Sequence, residues 1–338
     1  MELSTTSYRL AFKYPFRIAH GMRTHTDVVY VKLTSRGCTA WGEATLPPYL
    51  PETQQSVSDF IKIFAAQNGN LTTCVDWRNA LLHDTSHNMA ARAALDMALW
   101  QLQAQLENKT VSELLGIESA KFPYGTYTIG VCPIEEMRQK IAEANAKGFA
   151  IFKIKLDGRQ DEAMIANYKQ LCSKPFAVDV NQGWKSIEEA REKINWLKEE
   201  GCLLVEQPLD KDAWNDMQQL NQHSVLPLYA DEACQRLADL DKVAQCFDGV
   251  NIKLMKCGGI TEAYQMILKA RQLGLKVLIG CMSESSVGCT AAAALTPLAD
   301  YADLDGPYLI ANDPFEGMKI EEGRIALHPL QQVKALSS

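Results

Sequence analysis

The pattern of hydrophobic and polar positions divides this chain into two parts. Three early segments are typical of strands, at residues 2–11, 28–34 and 38–44. The hydrophobic period then becomes 3.6 residues, which predicts helices at residues 54–66, 88–107 and 111–115. The residues between the first two strands are predicted to form a loop that carries Arg23. Residues 1–118 are therefore expected to form one α+β unit.

Beyond residue 124, short apolar segments alternate with amphipathic helical segments. Eight strands are predicted, at residues 124–131, 151–156, 176–180, 203–205, 228–230, 250–254, 277–279 and 301–304. Seven helices separate them, at residues 133–148, 161–172, 186–200, 211–222, 236–245, 260–273 and 286–295. This α/β order favours a modified (β/α)7β barrel of the TIM type over residues 119–310, with its last helix missing or replaced.

A doubly wound open sheet is the alternative fold, but no GxGxxG motif follows any predicted strand. After about residue 310 the chain becomes polar and rich in turn residues. We therefore expect residues 311–338 to fold back and complete the first domain.

Composition excludes several classes of protein. The formal net charge of -7 and the lack of a basic block argue against nucleic-acid binding. No apolar run is long enough for a membrane span, and the first residues lack the apolar core of a signal peptide. The ten cysteines are scattered, without metal-ligand spacing, so we expect reduced thiols and a cytoplasmic location.

Charged side chains recur at the ends of the predicted strands. Lys153 and Lys155 lie two residues apart, so both point to one face of their strand. The later strand ends carry Asp179, Glu206, Asp231 and Lys253. Successive sites lie roughly 25 residues apart, about one strand, loop and helix, which places them together at the C-terminal rim of a barrel.

This arrangement predicts metal-assisted proton abstraction next to a carboxylate. Three clustered carboxylates would repel one another, and one Mg²⁺ ion with oxygen ligands relieves that conflict. If the barrel closes in chain order, Lys155 and Lys253 face each other across the metal. One lysine can then remove a proton and the other can return it from the opposite side, which inverts a stereocentre. Strand parity favours Lys253 over Lys256 because Lys253 shares a face with Asn251.

Each of these residues taken alone has an ordinary explanation. A single acidic residue at a strand end is more often a helix cap or a solvated charge, and a lone Lys-x-Lys is usually an exposed strand face. The ordered recurrence of five sites, one βα unit apart, outweighs those explanations. For Arg23, a solvated arginine is nearly as good an explanation as a binding role.

The order Lys-x-Lys, Asp-x-Asn, Glu-Gln-Pro, Asp-Glu, Asn-Ile-Lys resembles the enolase superfamily, muconate-lactonizing subgroup. The resemblance covers nearly the whole chain, including an α+β capping domain. Asp303-Leu304-Asp305 resembles the Asp-x-Asp pair that holds the substrate's α-ammonium group in dipeptide epimerases.

The resemblance implies an isomerase with one Mg²⁺ per subunit, acting on a dipeptide such as L-Ala-L/D-Glu. Its C-terminal residue would be epimerised through a metal-stabilised enolate, which would fit recycling of cell-wall peptide. The substrate contacts implied are Thr128, Lys153, Cys281, Ser283, Asp303, Asp305 and Arg23. Arg23 would pair with an acidic substrate side chain. Whether copies associate into a homo-oligomer stays open.

Two other functions remain compatible with the sequence. The same scaffold supports o-succinylbenzoate synthase, N-acylamino acid racemase or muconate cycloisomerase reactions, which need no partner for an ammonium group. A barrel retained as a binding or structural protein would exchange no substrate α-protons. The complete set of lysines and carboxylates argues against the last alternative.

Overall fold

A computed structural model describes residues 1–18, 21–48, 50–84, 87–118 and 121–336. The chain starts with an antiparallel sheet of three strands: β1 (Glu2–Ile18), β2 (Gly21–Ser35) and β3 (Cys38–Leu46). Four helices follow: α1 (Gln54–Gln67), α2 (Cys74–His83), α3 (Met89–Leu106) and α4 (Val111–Leu114). Helix α3 packs against β3 so closely that a Cβ on Gly42 would collide with the carbonyl oxygen of Ala94.

Eight parallel strands form the second sheet: β4 (Thr126–Ile129), β5 (Ile151–Lys155), β6 (Phe176–Asp179), β7 (Cys202–Glu206), β8 (Leu228–Ala230), β9 (Gly249–Lys253), β10 (Lys276–Gly280) and β11 (Tyr301–Asp303). They pair in chain order, and a parallel bridge between Gly125 and Ala302 joins the first strand to the last. The predicted barrel is therefore confirmed.

Helices connect consecutive barrel strands: α5 (Ile134–Ala146), α6 (Asp161–Leu171), α7 (Ile187–Glu199), α8 (Trp214–Gln222), α9 (Leu240–Val243), α10 (Leu254–Cys257), α11 (Ile260–Gln272) and α12 (Ser286–Ala293). A short helix, α13 (Gly306–Leu309), follows the last barrel strand in place of a full eighth helix. Phe152 and Ile154 of β5 are fully buried in the layer between strands and helices, which leaves the two lysines of β5 inside the barrel.

The predicted loop between the first two strands is wrong within the described residues. Strand pairing continues after a register shift, with Phe16 opposite Arg23 and Ile18 opposite Gly21. Arg23 therefore lies in β2. The first arm does alternate, with Phe12, Tyr14, Phe16 and Ile18 half-buried, but Pro15 and the exposed polar residues of the second arm are typical of a loop.

One predicted helix differs in the structure, and one observed helix was not predicted. The helix predicted at residues 236–245 is a 3₁₀ turn (Leu237–Asp239) that continues as the single turn α9. Helix α2 was missed because its apolar residues form only a weak periodic pattern.

The C-terminal residues contact both parts of the molecule. They form two short antiparallel pairs: β12 (Phe315–Glu316) with β15 (Gln331–Gln332), and, between them in the chain, the hairpin of β13 (Lys319–Glu321) and β14 (Arg324–Ala326). Phe315 packs edge-on against Tyr30 and Trp41 of the first sheet. The division into domains at residues 118 and 310 stays a prediction.

The ten cysteines are all free thiols, and most are buried. None of the helices in the described ranges is long and apolar enough to cross a membrane.

Candidate active site

The strand register brings the predicted site residues to one height. Lys155 is the partner of Asp179 in the ladder, and Asp179 is the partner of Glu206. Asp231 directly follows β8, and Lys253 ends β9 opposite Gly280. Gly280 in turn pairs with Asp303 on β11. These side chains therefore meet at the C-terminal ends of the strands, as the spacing predicts.

Asp179, Glu206 and Asp231 form a buried carboxylate cluster, in which one oxygen atom from each residue lies within 4.8 Å of the other two. Burial and the neighbouring charge of Asp179 raise the pKa of Glu206 to about 8. A divalent cation would reverse that shift, and Mg²⁺ prefers carboxylate oxygens. The residues therefore fit the predicted metal.

Lys153 lies at the centre of this acidic group. Its Nζ is 3.0 Å from Asp179 Oδ2, 2.9 Å from Glu206 Oε2 and 2.8 Å from Asp303 Oδ2. Burial alone lowers the pKa of Lys153, but these carboxylates outweigh burial and hold the pKa well above its ordinary value. The surrounding carboxylates therefore favour the protonated form of Lys153.

Lys155 and Lys253 lie on opposite sides of the barrel. Four strand-to-strand steps separate β5 from β9 in a sheet of eight, and the strands β6, β7 and β8 lie between them. Lys155 Nζ donates to Asp179 Oδ2 at 2.6 Å, and Lys253 Nζ donates to Asp231 Oδ2 at 2.6 Å. The two ammonium groups thus flank the carboxylate cluster from opposite walls.

The Asp-x-Asp pair lies beside Lys153, on the wall formed by β11 and β4. Asp303 accepts hydrogen bonds from Thr126 Oγ1 at 2.6 Å and from Lys153. Asp305 follows the strand rather than continuing it, and accepts from the backbone N–H of Thr128 at 2.5 Å. Burial and the charge of Asp303 raise the pKa of Asp305 to about 7. A cationic group bound here would relieve the repulsion between the two carboxylates.

A cavity of about 540 Å³ opens above these groups. It is lined by ten of the twelve predicted site residues: Arg23, Thr128, Lys153, Lys155, Asp231, Lys253, Cys281, Ser283, Asp303 and Asp305. Arg23 Nη2 donates to Ser283 Oγ at 3.4 Å, so the hairpin of the first domain reaches the rim of the barrel. The cavity is large enough for a dipeptide.

A larger depression of about 1140 Å³ lies at the opposite end of the barrel. Its described lining contains none of the predicted catalytic or metal-binding residues. The smaller cavity is therefore the candidate active site.

Two contacts in the site are not predicted by the sequence pattern. Lys256 turns back towards the carboxylates because β9 ends at Lys253 and one turn of helix follows, and its Nζ lies 2.8 Å from Asp231 Oδ1. Asn181 Nδ2 donates to Glu232 Oε1 at 3.1 Å on the cavity wall. Strand parity cannot find Lys256, since the strand stops before it. The Asp-Glu motif did contain Glu232.

The comparisons with known proteins agree with this architecture. Residues 1–116 match the family model of the mandelate racemase / muconate lactonizing enzyme N-terminal domain, and residues 136–329 match the enolase C-terminal domain-like model. A curated relative, the L-Ala-D/L-Glu epimerase of Bacteroides thetaiotaomicron, is 39% identical over 331 residues, covering 98% of this chain and 86% of that protein.

Two solved structures are also similar. The L-Ala-D/L-Glu epimerase from Bacillus subtilis, in a substrate-liganded complex, superimposes with a TM-score of 0.89 at 27% identity, over 98% of this chain and 97% of that one. The dipeptide epimerase from Cytophaga hutchinsonii, complexed with Mg and D-Ala-L-Val, superimposes with a TM-score of 0.86 at 26% identity. The match covers 98% of this chain and 95% of that one. With both of its parts matched, this chain belongs to the mandelate racemase / muconate lactonizing enzyme family of the enolase superfamily.

Proposed function

We propose that this protein is a Mg²⁺-dependent dipeptide epimerase that inverts the α-carbon of the C-terminal residue. The observation that carries the proposal is the opposition of Lys155 and Lys253 across the buried carboxylates of Asp179, Glu206 and Asp231. The similarity to dipeptide epimerases over almost the whole chain supports it.

Each lysine would serve one face of the substrate. A neutral lysine on one wall takes the α-proton, and the protonated lysine on the other wall delivers a proton to the opposite face. Their separation across the barrel prevents both from reaching the same face. The reaction is then a 1,1-proton transfer that runs in either direction.

Asp179, Glu206 and Asp231 are the proposed metal ligands. When bound, Mg²⁺ would neutralise the negative charge that develops on the substrate carboxylate as the α-proton leaves. Lys153, whose protonated form the neighbouring carboxylates favour, would attract the substrate carboxylate, and Thr128, which lines the cavity, would contact that carboxylate as well.

The Asp303 and Asp305 pair is proposed to bind the α-ammonium group of the dipeptide. Both side chains are buried, line the cavity and lie where a cation would be favoured. Cys281 and Ser283 would border the peptide backbone. Arg23 would contact an acidic side chain on the epimerised residue, which makes Ala-Glu the expected substrate class.

The test is incubation of a dipeptide library in D₂O with Mg²⁺, followed by mass spectrometry and NMR. We expect deuterium uptake and inversion at the C-terminal residue only, and none after chelation of the metal. If no dipeptide took up deuterium, the proposal would be rejected and a binding or structural barrel would be favoured.

A synthase or cycloisomerase on the same scaffold is distinguished by the Asp-x-Asp pair. Asp303→Asn and Asp305→Asn are expected to lower dipeptide turnover by about a hundredfold or more, because a buried charge partner of the substrate is lost. Full activity of both variants on a substrate without an amino group would favour the alternative. A cytoplasmic location belongs to the proposal, supported by ten free thiols.

A further inference from the structure

Glu43 of β3 is a completely buried carboxylate at the interface between the first domain and the barrel. It accepts hydrogen bonds from the backbone N–H of Ser285 at 2.9 Å, from Ser285 Oγ at 2.5 Å and from the N–H of Gly288 at 3.0 Å. Thr45 Oγ1 also donates to it at 2.8 Å. Both carboxylate oxygens are thus occupied, and most of the donors belong to the first turn of α12.

This contact is a helix cap supplied from another domain. The first N–H groups of a helix lack partners within the helix, and the helix dipole favours negative charge at that end. Ser285 provides a local cap by accepting from the N–H of Val287 at 3.2 Å. The charge itself, however, comes from residue 43. The position of the first domain therefore determines where the first turn of α12 lies.

The segment directly before α12, residues 281–284, borders the proposed dipeptide site. Cys281 and Ser283 line the cavity, and Glu284 Oε1 accepts from the N–H of Met282 at 2.7 Å. A Cβ on Gly288 or on Gly306 would collide with Glu284. The segment is therefore enclosed so tightly that it must move with the first turn of α12.

We infer that Glu43 is a positioning residue for the segment 281–284. Its hydrogen bonds to the first turn of α12 hold this segment in place beside the substrate. The inference rests on the proposed function, in which Cys281 and Ser283 border the dipeptide. Among the described residues, the hydrogen bonds to Glu43 come from Thr45, Ser285 and Gly288, and none of these lies on β5 or β9, which carry the two lysines. The loss of Glu43 is therefore expected to weaken dipeptide binding more than proton transfer.

The test is Glu43→Gln, which keeps the shape of the side chain. The substitution removes the charge and turns an NH₂ group towards N–H donors. We expect the KM for L-Ala-L-Glu to rise about tenfold or more while kcat stays within about threefold, because one buried charged cap is lost. Amide hydrogen exchange in residues 281–288 should also become faster, whether or not dipeptides are the substrate.

Ser112→Ala is the matched control, since Ser112 Oγ donates across the same domain interface to the carbonyl of Ala294 at 2.7 Å, at the other end of α12. It should lower the Tm without changing the KM or the exchange of residues 281–288. If Glu43→Gln does not fold, Thr45→Val removes only the hydroxyl hydrogen bond to Glu43 Oε1, leaves the local cap of α12 intact and should give a smaller change in the same direction.

The outcomes separate this inference from the proposed function. A wild-type protein that epimerises no dipeptide rejects the proposed function, and exchange of residues 281–288 then still decides the role of Glu43. Unchanged exchange and KM in the Glu43 variant, or equal changes in the Ser112 control, would overturn the inference.

Discussion

Lys155 and Lys253 are equivalent in chemistry but not in position, and the position gives each its proposed task. Each lysine donates to a different carboxylate on its own side of the barrel, at 2.6 Å in both cases. Substrate held between them presents opposite faces to the two ammonium groups. Removal of one lysine should therefore leave the chemistry of the other face intact.

The single variants Lys155→Ala and Lys253→Ala test this division. Each should lose epimerisation by about 10³-fold or more, because one acid/base group is missing. Each should still exchange the α-proton of one C-terminal stereoisomer in D₂O, and the two variants should retain opposite stereoisomers. The exposed Lys198→Ala variant serves as control, and normal epimerisation by both active-site variants would exclude the two-base scheme.

Arg23 is the single side chain that would select the substrate. Its guanidinium lies 5.6 Å from the ring centre of Phe12 and reaches Ser283 at the rim of the barrel. Arg23→Met should lower kcat/KM for L-Ala-L-Glu about tenfold or more and leave L-Ala-L-Leu within about twofold, since only glutamate offers a charged partner. Steady-state kinetics with both dipeptides measure this difference, and the exposed Arg17→Met variant is the control. Equal losses of kcat/KM for both substrates would contradict the proposed role of Arg23.

At the scale of elements, helices of the barrel are capped by carboxylates of the first domain. Asp96 of α3 accepts from the N–H of Thr261 in α11 at 2.9 Å and from its hydroxyl at 2.5 Å. Trp100 of α3 donates to the same hydroxyl at 2.8 Å. Helix α3 is thus fixed to the start of α11 as β3 is fixed to the start of α12.

This contact predicts a pH dependence of stability. Burial raises the pKa of Asp96 to about 6, and the bonds from Thr261 and the charge of Arg78 only partly oppose it. A carboxyl group with a raised pKa binds its proton more tightly in the folded state than in the unfolded state. The free energy of unfolding therefore falls as the pH rises from the ordinary pKa of an aspartate towards 6. Relative to Asp96→Asn, the wild-type free energy of unfolding should fall by about 1 kcal/mol between pH 5 and pH 7.

Urea unfolding of both proteins at the two pH values measures that difference, because the contributions of all other titrating groups to the free energy of unfolding cancel between the two proteins. The exposed Asp216→Asn variant should show the same pH dependence as the wild type. An Asp96 variant that also follows the wild type would exclude the assignment.

On the scale of the whole molecule, the proposed metal site connects three consecutive strands of the barrel. Because Asp179, Glu206 and Asp231 lie on β6, on β7 and just after β8, an ion bound by all three binds only the folded chain. Ligands of this kind stabilise the native state in proportion to the logarithm of their concentration. The function proposed here therefore has a thermodynamic consequence that needs no substrate.

Mg²⁺ at a hundred times its Kd should add about 2.7 kcal/mol to the free energy of unfolding. Thermal unfolding of the wild type with Mg²⁺ and with a chelator measures this gain. Glu206→Gln should lose most of it, because one of the three carboxylates becomes neutral, whereas Asp216→Asn should keep it. A Glu206 variant stabilised as much as the wild type would show that the ion binds elsewhere.

The sequence by itself determined the barrel and the place of its charged residues along the chain. Alternating apolar strands and amphipathic helices predict that fold, and one site per βα unit predicts a common rim, since side-chain direction and strand order are local properties. Lys155, Asp179 and Glu206 are direct neighbours in the ladder for that reason. The Asp-x-Asp pair was likewise visible in the sequence.

Only the tertiary structure decided the contacts that depend on where elements end and how the two parts meet. Lys256 reaches Asp231 because a helical turn begins directly after Lys253, and strand parity does not extend past that point. Arg23 reaches Ser283 because the hairpin continues over the barrel, although Pro15 and the polar residues of its second arm are typical of a loop. Glu43 caps α12 from 242 positions earlier in the chain, and no local pattern encodes such a pairing.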